Sequence, residues 1–534
     1  MAGMRVLRQD DFTGGLNLRA DQFQLAPNES PKMLNVEIDP RGGVFSRGAM
    51  RSFATAITAT NWTPERLFPF YADTHYLMLS TGKNGMNTGE VFYSTGGSFT
   101  PLLMPVSEEH GASFAPWGKE LYVATGVDSL PYKWDGTTKT TLTVSGGAWQ
   151  NSYGAGLSNV SMPKAKLAVT HAGKLFVANT YEDGAYQPNR IRWSHPNSPG
   201  NWAQQDYIDI NNGASGITGL AVFAGHLVVF KKDSVFAVFG YDSDTFQVVE
   251  VSRHVGTHTS HSFAVTERGV YFFSYPDGLM LYNGERVIDL FEPIRPAIQS
   301  GYINPNAVDE IYVSSINRRI WVSVPYDENS APVNPTVSFV YDPSISQRGA
   351  WLMFSTYDGF GGVGGCTFTD LNGTVKHATA HPTVPSVLAV DLYNNSYDTN
   401  DGVTNQQFTS RYRTRWLDGG SYSQQKMFRR PDVILKQNAI ASVLTIKAYG
   451  DYEEADSGEI KQYDVEVPAS GSGLTWGTGL WGAAWGAPNT GSQIVTGRSI
   501  GLAKSVQLEF VGSPGKTWGV NSYTLKYNPR RVKV

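Results

Sequence analysis

Short apolar runs separated by tight turns recur through the middle of the chain. They begin at Thr74 (THYLMLST), Lys119 (KELYVAT), Lys174 (KLFVANT), His226 (HLVVFKK), Val270 (VYFFSYPDG), Arg319 (RIWVSVP) and Thr374 (TVKHATAH), 44 to 55 residues apart. Several are followed by a second strand that closes a hairpin, as in LPYKWDG, SVFAVFG, GLMLYNG and SFVYDP. A repeat of about 40 to 50 residues holding about four short strands marks a β-propeller blade, a small sheet that buries its faces only against its neighbours. The pattern predicts an all-β chain with a β-propeller of six to eight blades over residues 62–395. The strands starting at 119, 174, 226, 270 and 319 are expected at equivalent inner positions. A pair of β-sandwiches with similar strand spacing is the alternative.

The flanks read differently. After the polar connection DLYNNSYDTNDGVTNQQ, longer alternating strands (FTSRYRTRW, VLTIKAYG, IKQYDVEVP, SVQLEFVG, NSYTLKYNP) predict a C-terminal antiparallel β-sandwich over 396–534. Its Trp/Gly-rich loop LTWGTGLWGAAWG carries Trp476, Trp481 and Trp485. Glycine-spaced tryptophans need a cover, supplied by the sandwich or by a neighbouring chain. Residues 1–61 read as an extended N-terminal arm. Within it, APNESPKMLNVEIDPRGGVFSRG combines turn formers with an apolar thread of Met33, Leu34, Val36, Ile38 and Val44. Such an arm satisfies its backbone groups along the propeller rim or by adding to a neighbour's sheet, which makes Met33, Leu34, Val36 and Ile38 candidate assembly contacts.

Composition narrows the function classes. The 534 residues are 41% hydrophobic and 12% aromatic with 56 glycines, enough for a large core of strands and turns. A net charge of −4 supplies no global basic field for nucleic acid. The single cysteine, Cys366, excludes an intramolecular disulfide and a thiolate zinc cage, and reads as a small buried hydrophobe. MAGMRVLRQDDFTGG lacks the apolar core of a signal peptide and no apolar run reaches the ~18 residues of a membrane span, so synthesis in a cytoplasm and no membrane span are expected.

No local motif carries catalysis. IRWSHPNSPGNW places Ser194, Asn197, Gly200 and Trp202 at a spacing like the Asp-box turn of sialidase-like propellers, without its acidic residue, and reads as a structural hairpin turn. His254, His258 and His261 sit in a Gly-, Thr- and Ser-rich connection and read as a decorated turn; no metal and no cofactor are expected. Period-2 alternation puts Arg411, Arg413 and Arg415 on one face of a strand, opposite Phe408, Tyr412 and Trp416. That basic stripe could meet the acidic tip DYEEADSGE of a neighbouring subunit, or stay solvated. With no GxSxG, HExxH or P-loop, and no pair of carboxylates that sequence brings together, a non-enzymatic protein is expected.

The arm carries a resemblance. Gly14 to Asn17, Asn28 with Glu29, Leu34 to Val36, and Arg47 with Gly48, in that order, resemble the N-terminal arm of bacteriophage tail proteins that carry a β-propeller. Residues 217–240 and 255–284 and the ending WGVNSYTLKYNPRRVKV also look like that group. The resemblance implies a virion tail location. It would be a tail nozzle or hub of short-tailed phages, around the DNA channel, or a minor tail protein at the tip of long-tailed ones. Its partners would be other phage tail proteins and copies of itself in a homo-oligomeric ring, with passage of genomic DNA at genome ejection and contact with a host-surface glycan as further expectations. Arg530 and Arg531 of the Pro-Arg-Arg ending join the candidate assembly residues. The competing expectation is a carbohydrate-binding or glycan-cleaving propeller acting on the host surface, which would need aromatic platforms and paired carboxylates at the propeller axis.

Overall fold

The structure, a computed structural model, describes residues 3–19, 24–53, 64–84, 87–142, 162–182, 184–212, 215–241, 244–384, 386–390, 397–398, 406–436, 442–453, 459–467 and 493–530. Among these, regular structure is almost wholly β-strand, with single helical turns at Glu292–Ile294, Pro296–Gln299 and Pro305–Glu310.

Seven four-stranded antiparallel sheets follow one another from residue 64 to 390. Their first strands are Pro64–Tyr71, Ser113–Trp117, Lys164–His171, Gly219–Phe223, Phe263–Thr266, Tyr312–Ile316 and Val363–Thr369. From the second sheet onward each first strand packs against the next, and Val363–Thr369 of the seventh sheet packs against Pro64–Tyr71 of the first. The first and second sheets meet through stacked Phe68 and Phe114, ring centroids 5.3 Å apart, and through Ala112 N–H donating to Ser80 Oγ at 2.7 Å. The contacts thus run through all seven sheets and return to the start. Six sheets are continuous in sequence. The seventh takes its fourth strand, Met50–Ser52, from the N-terminal side, paired with Val387–Val390.

The apolar runs that announced the repeat are the second strands of these sheets. His226–Phe230 and Gly269–Ser274 are buried at every position, because a second strand has a neighbouring sheet on both faces. The strands starting near 119, 174, 226, 270 and 319 are therefore equivalent, as expected, but lie one place out from the inner position expected of them. Tight turns join first to second strands. Ala224–Gly225 and Asn317–Arg318 both have two successive positive φ angles (49° and 80°, 51° and 61°), the handedness that matches hairpin twist.

Beyond residue 405 two larger sheets face each other. One orders Gln493–Thr496, Lys426–Leu435, Gly519–Pro529, Val44–Ser46 and Val36–Ile38, with Arg5–Gln9 also on Gly519–Pro529 and Gly501–Ala503 on Lys426–Leu435. The other orders Lys32–Leu34, Ser410–Arg413, Val506–Gly512, Ser442–Gly450 and Glu459–Val467. Val433, Val520, Tyr523 and Leu525 from the first share a core with Tyr412, Ile446, Leu508 and Phe510 from the second. Phe12 joins them, its ring 5.3 Å from Tyr412.

The arm is thus built into the rest of the chain. It supplies strands to both large sheets, and Met50–Ser52 closes the seventh small one. Met33, Val36 and Ile38 are each at most 1% exposed, covered by the C-terminal sheets and the sixth small sheet of the same molecule. The apolar thread, expected to reach for neighbouring subunits, is satisfied at home because two interrupted sheets offered it backbone partners. A boundary at residue 61 does not separate a structural unit.

Candidate functional site

The seven first strands surround one cavity of about 1420 Å³, which all of them line. A first strand has no partner on its inner edge, so its backbone and its small or polar side chains form the wall. Near the N-terminal ends of these strands, side chains from four sheets meet across the cavity. Arg66 of the first sheet reaches Ser260, ahead of the fifth, donating through Nη2 to its carbonyl and, at 3.0 Å, to its Oγ. Its Nη1 donates to Ala112 O at 3.3 Å. Tyr312 of the sixth sheet donates its hydroxyl to Glu65 Oε2 of the first. His261 stacks on Tyr312 with centroids 4.0 Å apart, and His110, ahead of the second sheet, packs 4.3 Å from His261. His110 Nδ1 lies 3.9 Å from Glu65 Oε2. These contacts form a floor across one end of the cavity.

Burial and charge tune this floor. Burial pulls the Arg66 guanidinium down to about 10, with Tyr312 and Glu65 opposing. Burial, then the neighbouring His110 and Arg66, hold His261 neutral, well below the usual histidine value. Its Nε2 lies 2.9 Å from the Asp309 carbonyl, which can only accept, so Nε2 carries the proton and Nδ1 is an acceptor. That Nδ1 is buried without a hydrogen-bond partner. Burial works against charge on His110 too, but the nearby Glu65 carboxylate, with Glu310 and Glu109, outweighs it and raises its pKa. Burial, then Glu65 and Glu310, push the Tyr312 hydroxyl far above its usual range.

The residues singled out by sequence are scattered. His254 is exposed, His258 Nδ1 lies 3.7 Å from Asp309 Oδ1, and His261 belongs to the floor, so the three imidazoles do not converge. Ser194, Asn197 and Trp202 form a hairpin turn in which Leu175 N–H donates to Ser194 Oγ and Trp202 Nε1 donates to Pro199 O. Phe408, Tyr412 and Trp416 are buried as the alternation predicts, but the arginine face is no exposed stripe. Arg413 pairs with Glu509 at 3.2 Å beneath the Tyr449 ring, Arg415 Nη1 donates to Leu25 O, and half-buried Arg411 lines a small cavity beside Lys32 and Met33. Half-buried Leu34 lines the same cavity. Strand alternation named the face correctly, and the arm covers it. Arg530 is exposed at the end of the last strand. Trp476, Trp481, Trp485 and Arg531 lie outside the described residues.

Sequence reasoning missed Glu65, Arg66, His110 and Tyr312. The one local signal was a charged Glu-Arg pair opening an otherwise apolar strand.

No family model matches the chain, and no curated protein matches it. Among solved structures, it is similar to PorZ, a bacterial surface component of the type-IX secretion system of Porphyromonas gingivalis, at 11% identity and a TM-score of 0.39. The likeness covers 81% of this chain and 59% of that one.

Proposed function

We propose that the seven small sheets are the blades of a seven-bladed β-propeller, that the facing C-terminal sheets are a β-sandwich completed by the arm, and that the chain is a non-enzymatic structural component of a bacteriophage tail. In this reading it is a nozzle, hub or minor tail protein at the distal end, assembling with other tail proteins and with copies of itself. One observation supports it most. The arm segments that carry the resemblance sit at the joint between the two modules: Asn35 and Arg47 bond to each other, to Ser355 after the sixth blade and to Thr409 and Asp398 leading into the sandwich. A part that transmits force through a particle needs such a joint between its domains.

Arg66 with Ser260 and Tyr312 with Glu65 cross the axis of the single chain. Any passage of DNA in this reading therefore runs through a ring of copies, not through one propeller. The test is compositional. Purified virions from the genome that encodes this chain are expected to contain it, with antibody label at the tail end in electron micrographs; its absence from purified particles sinks the reading.

A further inference from the structure

We propose that the axial cavity is a binding site for an acidic oligosaccharide, whose carboxylates pair with Arg66 at the floor and with Arg268 and Arg318 at the opposite mouth. This site stands with or without the tail assignment.

The charge inventory of the wall leads there. Of its four arginines, only Arg319 has an ion pair, with Glu37 and Asp342. Arg66 has no carboxylate within 4 Å among the described residues; its hydrogen bonds go to carbonyls and a hydroxyl, and Glu65 supports its charge only from a distance. A partly buried guanidinium with no ion partner is costly, and an incoming carboxylate lowers that cost through charge-assisted hydrogen bonds. Arg268 and Arg318 are exposed, and neither has an ion pair among the described residues; the Arg268 guanidinium makes one hydrogen bond there, to Pro343 O at 3.3 Å. Of the wall's carboxylates, Glu65 is occupied by Tyr312 and Asp342 by Arg319, which leaves Glu267 at the mouth. The hydrogen bond from neutral Tyr312 leaves the charge of Glu65 in place, so the wall groups outside an ion pair are three cations against two anions, with both cations at the mouth facing Glu267 alone.

Size and surface select the class. Ordinary ligand pockets hold about 300 to 1,000 Å³, and this one, at about 1420 Å³, has room for a short oligomer. Arg66 sits by the start of the first strands and Arg268 just past the end of one. The cations are therefore separated by about one strand length, on the order of 20 Å at roughly 3.3 Å per residue. An oligomer with repeated carboxylates reaches both. Free inner edges of the strands offer backbone donors and acceptors together, and Phe68, Phe114 and Phe263 supply ring surface. That mixture suits polyhydroxylated rings.

Calorimetry on the full chain tests this with a galacturonic-acid tetrasaccharide, its neutral galactose counterpart and tetraglutamate. The acidic sugar is expected to bind and to weaken as salt rises, while the neutral sugar and the peptide bind at least tenfold more weakly. Arg66→Gln should cut affinity tenfold or more. Because that change also touches the floor, the double variant Arg268→Ala/Arg318→Ala, confined to exposed side chains, is measured in parallel, with the same loss expected and an unchanged melting temperature. The proposal is overturned by no binding of the acidic sugar, by equal binding of the neutral one, by preference for tetraglutamate, or by full affinity in the mouth variant.

Discussion

The guanidinium of Arg47 and the carboxylate of Asp398, 351 positions apart in the chain, meet at 2.7 Å with both side chains almost wholly buried. Asp398 also accepts from the Met50 amide, and Arg47 lies 3.8 Å over the Phe408 ring. The pair ties the arm, the closing strand of the seventh sheet and the connection into the C-terminal sheets at one point. Removing one partner strands the other as an uncompensated buried charge. Asp398→Asn or Arg47→Met should therefore lower stability by about 3–5 kcal/mol, read as a fall in the urea midpoint. Replacing both, as Arg47→Met with Asp398→Leu, should restore part of the loss. A single variant within 1 kcal/mol of the parent would contradict the assignment.

Deleting residues 1–48 removes strands from both large sheets while leaving Met50–Ser52 in place. The expected result is a C-terminal region that fails to fold in the isolated chain, with loss of its cooperative transition in calorimetry. A deletion variant that melts like the parent but fails only to assemble would restore the view of the arm as a tie between subunits.

Asp206 is 8% exposed, and its carboxyl has no hydrogen bond or ion pair among the described residues. Burial pushes its pKa up to about 6. A carboxyl whose folded value lies above its unfolded value of about 3.9 destabilises the fold as pH rises from about 4 to 6, and is neutral in both states below that. Asp206→Asn should thus be more stable than the parent at pH 7 by about 1–3 kcal/mol, with the advantage vanishing near pH 3.5. Chemical denaturation at both pH values checks this.

Cys366 is buried beside the cavity lined by the seven first strands, and burial pushes its thiol up to about 12 from an ordinary 9.0. Thiolate is the reactive form, so three units of pKa suppress it about a thousandfold. Maleimide at pH 7.5 should leave the folded chain unlabelled for hours and label it at once in denaturant. Rapid labelling of the native protein would show that the cavity wall opens.

The unequal legibility of these parts has physical causes. Second strands such as His226–Phe230 announced themselves because burial on both faces makes an unbroken apolar run. First strands such as Phe263–Thr266 did not, because one edge faces the cavity, so the inner position was given to the wrong strand. The alternation around Tyr412 named the buried face correctly. The pairing of Val44–Ser46 with Gly519–Val520 left no local mark, since a three-residue strand carries no record of a partner more than 470 residues away. The floor of the cavity was illegible for the same reason: Glu65, His110, His261 and Tyr312 stand in four separate sheets or their leads, and only the ring of sheets brings them together.

The weave of the arm also sets a timetable for synthesis. Lys32–Leu34 pairs with Ser410–Arg413, and Arg5–Gln9 with a strand ending at Pro529. At about 5–20 residues per second, the first fifty residues emerge from the ribosome on the order of a minute before their last partners exist. Through that interval the nascent chain carries unpaired strand edges. The six sheets that need nothing from the N-terminus can form in order as they appear, while the seventh needs Met50–Ser52 to have been kept free. Whatever guards those residues until then governs how much of the protein ever becomes whole.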